Sequence, residues 1–255
     1  MLIIVSPSKT LDFTFTPKTQ YFTQPQFIKE TEQLVKVLEK FSPSDLQTLM
    51  NINFKLSDLN VKRFFDWHLP FTPENAKPAV LAFKGEVYNG LKANEFEEAD
   101  LLYAQDNLLI LSGLYGALRP LDLIMPYRLE MGTKLTTRKG SDLYAFWGDK
   151  ITKNVNQAIE ENQHKYLINL ASAEYSGVLD TTKIKCRIVT PFFKDFSNGE
   201  YRFLTVYGKK ARGTMARFII KNRLEDVESL KLFDEDGYNF NHLMSTENNW
   251  VFTRG

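Results

Sequence analysis

Two kinds of side chain recur in this sequence at positions where they could do chemistry. Cations sit beside glycine or other small residues after short apolar runs. Lys9 follows Leu2–Val5, Lys84 follows Ala79–Phe83, Arg119 and Arg128 follow Leu108–Leu111, and Lys209, Lys210, Arg212 and Arg217 crowd one later segment. Carboxylates share the same segments: Glu86, Asp122, Glu130 and Glu174. Ammonium and guanidinium groups gathered by folding would make a seat for phosphate, on a nucleotide or a polynucleotide. Carboxylates there repel phosphate unless they pair with the cations, bind a metal or move protons. Glu86, Asp122 and Glu130 are therefore candidate acids or bases, and the cations are candidate phosphate ligands. Tyr88, Tyr115, Tyr127 and Tyr175 lie in the same segments and either stack on bases or pack a core.

The stretch Leu108–Gly132, LLILSGLYGALRPLDLIMPYRLEMG, concentrates these features. An apolar run bounded by Ser112 and Gly113 suits a strand buried on both faces. Charged groups beside buried apolar surface need partners. Two readings stand: a sheltered polar site at a strand's end, or a crossover pinned by local Arg119–Asp122 and Arg128–Glu130 ion pairs.

The elements that position these groups follow from periodicity. Strands are expected at Leu2–Val5, Ala79–Phe83, Leu108–Leu111, Tyr166–Leu170, Lys183–Val189 and Trp250–Thr253. Arg187–Pro191 and Tyr201–Tyr207 are expected to pair, with turn residues Ser197, Asn198 and Gly199 between them. Helices are expected over Phe27–Phe41, Pro43–Asn51, Val61–His68, from Asp142 to about Glu161, and Thr214–Asn222. Residues 16–26 read as an irregular connection, and Glu95–Asp100 as a solvated helix face. Ser42, Pro43 and Asp45 are an N-cap, a first-turn proline and a capping box. The two helices after Ser42, joined through Leu56–Asn60, suggest a helix-hairpin-helix element over about 43–68. Its backbone would grip phosphate, flanked by Lys55, Lys62 and Arg63. That element usually carries glycines where this chain has Asp58 and Asn60. The cluster Lys209, Lys210, Arg212, Arg217 and Lys221 is expected at a helix N-terminus, where free N–H groups favour anions.

Composition bounds the rest. At 255 residues, 43% hydrophobic and 25% charged, the chain suits a single globular domain, 1–255, without repeats or linkers. A formal net charge of +1 rules out polyanion or membrane binding by bulk charge, so any basic site must arise locally. Cys186 is the single cysteine, and the three histidines have no metal-ligand spacing, so neither a metal nor a cofactor is expected. The opening apolar run is too short for a signal peptide or a membrane span, which points to the cytoplasm. No P-loop, nucleophile elbow or dinucleotide fingerprint occurs.

The segments SPSKTLDF, FKGEVYNGL, LSGLYGALRPLDLIMPYRLEMG, LYAFWGDKIT, INLASAEY and KKARGTMARFIIKNRL, in this order, resemble those of the bacterial YaaA peroxide-stress family. The resemblance extends from residue 1 to about 240. It implies a cytosolic protein that helps cells survive hydrogen peroxide by limiting free iron. It also implies a mixed α/β fold, with a central sheet and flanking helices, that has a basic cleft, a helix-hairpin-helix element and DNA binding. Lys9, Lys84, Arg119, Arg128, Lys209, Lys210 and Arg212 fall inside the shared segments and are assigned to that cleft. Lys55, Lys62 and Arg217 join them from the reading of the residues. The expected partner is double-stranded DNA bound without sequence preference. The alternative is an enzyme acting on nucleotides or damaged nucleobases through Glu86, Asp122 or Glu130.

Overall fold

The computed structural model describes residues 1–15, 17 and 19–255, so Thr16 and Lys18 of the connection expected at 16–26 lie outside the described residues. The strands, in chain order, are β1 (Leu2–Val5), β2 (Thr10–Leu11), β3 (Lys77–Pro78), β4 (Phe83–Lys84), β5 (Leu108–Ser112), β6 (Gly116–Leu118), β7 (Leu123–Ile124), β8 (Tyr166–Leu170), β9 (Arg187–Ser197), β10 (Glu200–Arg202), β11 (Asn239–Phe240) and β12 (Asn249–Arg254). The helices are α1 (Ile28–Leu38), α2 (Pro43–Met50), α3 (Phe54–Asp66), α4 (Ala79–Ala82), α5 (Glu86–Leu91), α6 (Glu98–Asn107), α7 (Leu143–Trp147), α8 (Lys150–Glu161), α9 (Ala173–Ser176) and α10 (Thr205–Lys221).

Eight strands form a mixed central sheet in the order β11-β12-β9-β8-β1-β5-β6, with β10 added to β9. β1 lies in the middle and runs parallel to both neighbours, pairing Ile3 with Leu108 and with Ile168. Parallel strands covered on both faces read as unbroken apolar runs, and every residue of β1 and β5 is buried. The antiparallel strands β6, β10 and β11 sit toward the margins. α6 packs on β1 and β5, α8 on β6, and α10 on β1, β8 and β9. No described helix is long and apolar enough to cross a membrane.

Several expected elements take another form. Ala79–Ala82 is a helical turn, and only Phe83–Lys84 is extended, because a five-residue apolar run fits a buried helix as well as a strand. The turn expected at Leu56–Asn60 is helical. Asn53 caps α3, its Oδ1 accepting the Leu56 N–H at 2.9 Å, and the chain reverses at Asn51, whose φ is +49°. α2 and α3 do pack together as a helical pair. The helix expected from Asp142 is broken at Gly148, φ +48°. Thr181–Lys183 is a short 3-10 turn, and the strand begins at Arg187 rather than Lys183. The tight turn at Asn198–Gly199 occurs, but β9 continues to Ser197 and β10 ends at Arg202.

The largest correction concerns α10, which starts at Thr205 rather than Thr214. Gly208 and Gly213 read as loop residues, yet both are helical and serve packing. A Cβ on Gly208 would overlap the Phe203 ring, and one on Gly213 would lie 2.7 Å from the Val87 carbonyl carbon. Lys209, Lys210 and Arg212 are thus displayed on the helix wall, past its first turn, and not at a free N-terminus. In the 95–100 segment Glu95, Glu97 and Glu98 are exposed as expected, but Asp100 is buried and holds Lys221 at 2.7 Å and Arg223 at 2.8 Å.

Candidate functional site

Chain direction creates a crevice at one end of the sheet. From β1 the chain crosses to β5 on one side, and from β8 it crosses to β9 on the other. Loops leaving the carboxyl ends of β1 and β8 therefore diverge, and open α/β sheets bind ligands between such loops. Ser6 follows β1 and Ser172 follows β8. The Ser172 N–H donates to Ser6 Oγ at 2.9 Å, tying the two loops at the floor.

Above this floor is a cavity of about 330 Å³. Lys9 comes from the loop after β1, Glu86 from the first turn of α5, Glu174 from α9, and Lys209 and Arg212 from α10. The position of Glu86 depends on Gly85, whose φ of +146° lets the backbone pass Ser8, where a Cβ would meet Ser8 Oγ at 2.7 Å. Lys209 and Arg212 arrive through the close crossing of α5 and α10. At that crossing a Cβ on Gly90 would lie 2.7 Å from the Thr214 nitrogen. Tyr88 and Tyr175 supply buried walls, and the Tyr88 hydroxyl donates to the Ser6 carbonyl at 3.2 Å. Burial pushes the Tyr88 phenol well above its ordinary pKa. Burial, then Glu174 and Glu130, push up Tyr175, so both stay neutral.

Arg212 is half-buried and, among the described residues, makes no ion pair or hydrogen bond to an acid. Its guanidinium lies over the Phe203 ring, 5.5 Å from the centroid. Burial alone lowers its pKa, the mark of a charge without a counter-charge. Lys209 likewise has no ion pair among the described residues. Glu174 Oε1 accepts the Gly132 N–H at 3.0 Å, and Glu86 Oε1 accepts from Asn89 Nδ2 at 3.2 Å.

The cationic surface continues past the cavity. Lys9 pairs with Glu130, and Glu130 also holds Arg128 at 2.9 Å. Arg128 Nε is buried with no hydrogen-bond partner among the described residues. Arg63 of α3 lies close enough that burial first, and then the Arg128 charge, lower its pKa; among the described residues its side chain makes a single hydrogen bond, a long 3.4 Å contact to Asn60 Oδ1. Five cations, Lys9, Arg63, Arg128, Lys209 and Arg212, thus border one end of the sheet, with Glu130 shared by two of them.

The other expected ligands lie elsewhere. Arg119 and Asp122 share a polar pocket near Leu2 and Leu108, at the opposite ends of β1 and β5. The local Arg119–Asp122 ion pair does not form. Asp122 instead accepts the Arg119 backbone N–H at 2.7 Å and the Thr23 hydroxyl at 2.6 Å, and burial pushes its pKa up to about 6. Lys84 pairs with Asp12 at 3.2 Å beside a neighbouring pocket. Lys210 faces Asp236 at 3.0 Å and Arg217 faces Glu95 at 3.0 Å, both on another face of α10. Lys55 is exposed on α3, and Lys62 pairs with Asp58 at 2.8 Å. Of the three candidate acids, Glu86 lines the cavity, Glu130 is bound to Lys9 and Arg128, and Asp122 is remote. Sequence reasoning passed over Arg63 as a mere flank of the hairpin and left Glu174 out of the site. The signal that finds Glu174 is the repeated order of apolar run, small residue and charge at Tyr166–Glu174. Among the described residues no group of three His, Cys, Asp or Glu side chains converges to hold a metal.

A family model described as "Peroxide stress protein YaaA" matches residues 1–244. A UPF0246 protein of Cellvibrio japonicus is 50% identical over 254 residues, covering 100% of this chain and 98% of that protein. UPF0246 proteins of two Aliivibrio fischeri strains, ES114 and MJ11, are 52% identical with the same coverage. The family match takes in β1, α5, α9 and α10, the elements that build the crevice. The chain belongs to the YaaA family of peroxide stress proteins.

Proposed function

We propose that this chain works in the peroxide response as a cytoplasmic protein that binds double-stranded DNA without sequence preference and limits its iron-driven oxidation. The observation that carries this reading is the band of five cations along one end of the sheet. Lys209 and Arg212 have no acid partner among the described residues, and Arg128 Nε is buried without an acceptor. Lys209 is exposed, but Arg212 is half-buried, and a charge left there without a counter-charge is costly unless an anion completes it. Phosphate oxygens are such anions. Cations seated on phosphates displace condensed counterions, ferrous iron among them, which moves radical production off the DNA backbone. The test is duplex binding as a function of salt, for the wild type and for Lys209→Glu and Arg212→Glu. The expected result is affinity that falls steeply with salt and falls again in both variants. Affinity indifferent to salt and to both substitutions overturns the reading.

One observation favours a second reading. Glu86 and Glu174 line the same cavity as Lys209 and Arg212, so an acid or base stands beside an anion seat. An enzyme acting on nucleotides or damaged bases would turn over nucleosides or lesion-bearing DNA and lose that turnover in Glu86→Gln. No turnover across such panels removes this reading.

A further inference from the structure

We infer that the cavity at the ends of β1 and β8 is a seat for one unpaired guanine nucleotide. This rests on the nucleic-acid reading above and narrows it to a base and a pairing state. The argument begins with the mixture of charges. Lys209 and Arg212 stand without acid partners on the α10 side, while Glu86 and Glu174 enter the same space from α5 and α9. A site for backbone phosphate alone has no use for the two carboxylates, which would repel it. A nucleotide uses both signs, since its phosphate needs cations and its base edge needs hydrogen-bond partners.

Each carboxylate spends Oε1 on a protein donor, the Gly132 N–H for Glu174 and the Asn89 amide for Glu86. Oε2 of each has no protein donor among the described residues. Carboxylate oxygens only accept, so the matching edge must present donors. Guanine offers adjacent N1–H and N2–H groups. Adenine and cytosine set a lone pair beside their amino group, and thymine flanks its one N–H with carbonyl oxygens. In a duplex that guanine edge is taken up by pairing, so the base that enters must be unpaired. The buried Tyr88 and Tyr175 supply aromatic walls, and a cavity of about 330 Å³ lies in the size range of small-ligand pockets.

The test compares a blunt duplex with the same duplex carrying one bulged guanosine, adenosine or inosine, and adds 5′-GMP and 5′-AMP as free probes. Inosine keeps N1–H and lacks the 2-amino group. The expected result is bulged guanosine bound about tenfold more tightly than the blunt duplex or bulged adenosine, with inosine between, and GMP favoured over AMP. Glu174→Gln and Glu86→Gln each exchange an acceptor oxygen for a donor at nearly constant shape, and at least one should abolish the discrimination. All duplexes binding alike, with steep salt dependence, overturns the guanine seat and leaves the DNA reading standing. Discrimination kept in both variants also overturns it. GMP favoured over AMP with no duplex bound keeps the seat and overturns the DNA reading.

Discussion

Gly213 of α10 lies against Val87 of α5 so closely that a Cβ would stand 2.7 Å from the Val87 carbonyl carbon and 2.8 Å from the Leu91 nitrogen. The obstacles are backbone atoms, so no side-chain rotation relieves them. This contact sets how near the wall bearing Lys209 and Arg212 comes to Glu86. Gly213→Ala is therefore expected to push the helices apart and destabilise the fold by about 1–3 kcal/mol, the usual range for overpacking. Thermal unfolding measures this as a melting point lowered by several degrees. The same variant should bind DNA more weakly at a temperature where it remains folded. A variant as stable as the wild type would show that the helices are not locked at this crossing.

Lys209 and Lys210 are neighbours in sequence with different surroundings. Lys209 borders the cavity, whereas Lys210 is neutralised by Asp236 at 3.0 Å on another face. Charge reversal at Lys209 should weaken duplex binding and lower the salt slope by about one. Reversal at Lys210 or Arg217 should leave that slope close to the wild type. Equal losses at Lys209 and Lys210, read by fluorescence anisotropy over a salt series, would mean that α10 acts as a general basic helix.

Why one lysine of an adjacent pair is free and the other is not lies beyond any reading of spacing. The strands β1 and β5 are legible because a strand covered on both faces must be apolar throughout, and β8 is legible from Leu167, Ile168 and Leu170, buried around a half-buried Asn169. Their ends are legible because Ser6, Ser112 and Ser172 interrupt the apolar runs. The capping box at Ser42 and Asp45 is also visible, since all of its atoms lie within one turn. Which cations are neutralised depends on acids far along the chain: Lys9 meets Glu130, Arg217 meets Glu95, and Lys210 meets Asp236. Arg119 follows the same apolar run as Arg128, but the antiparallel β5–β6 hairpin carries it to the opposite end of the sheet. Gly208 and Gly213 hid the start of α10 because a glycine that permits close helix packing has the same letter as one that breaks a helix.

Arg63 and Arg128 are like charges held side by side on α3 and on the segment after β7, and Glu130 compensates only one of them. Removing the Arg63 charge with Arg63→Gln relieves that repulsion, so the free protein should melt at the wild-type temperature or above it. Duplex affinity should fall at the same time. An anion that binds only the folded state stabilises it by mass action, so added sulfate should raise the wild-type melting point more than the variant's. Loss of stability together with an unchanged sulfate response would make Arg63 a packing residue.

Asp122 gives the fold a pH dependence of its own. Burial pushes its folded pKa up to about 6 against roughly 3.9 for an unfolded chain, so the folded state holds the proton more tightly. The stability contributed by this group is fully present below pH of about 4. It is lost as pH rises through about 6, where the buried carboxyl ionises with only the Thr23 hydroxyl and the Arg119 N–H to satisfy it. The size is on the order of 2–3 kcal/mol, at 1.36 kcal/mol per pH unit. Asp122→Asn fixes a neutral group of the same shape, and the difference between the two proteins cancels the titration of every other group. Urea midpoints taken between about pH 4 and pH 7 should show the wild type losing ground to the variant as pH rises. DNA affinity should be nearly the same in both, because Asp122 lies at the end of the sheet away from the cavity. A constant difference across the pH series would mean that Asp122 ionises in its ordinary range, with the same pKa folded and unfolded.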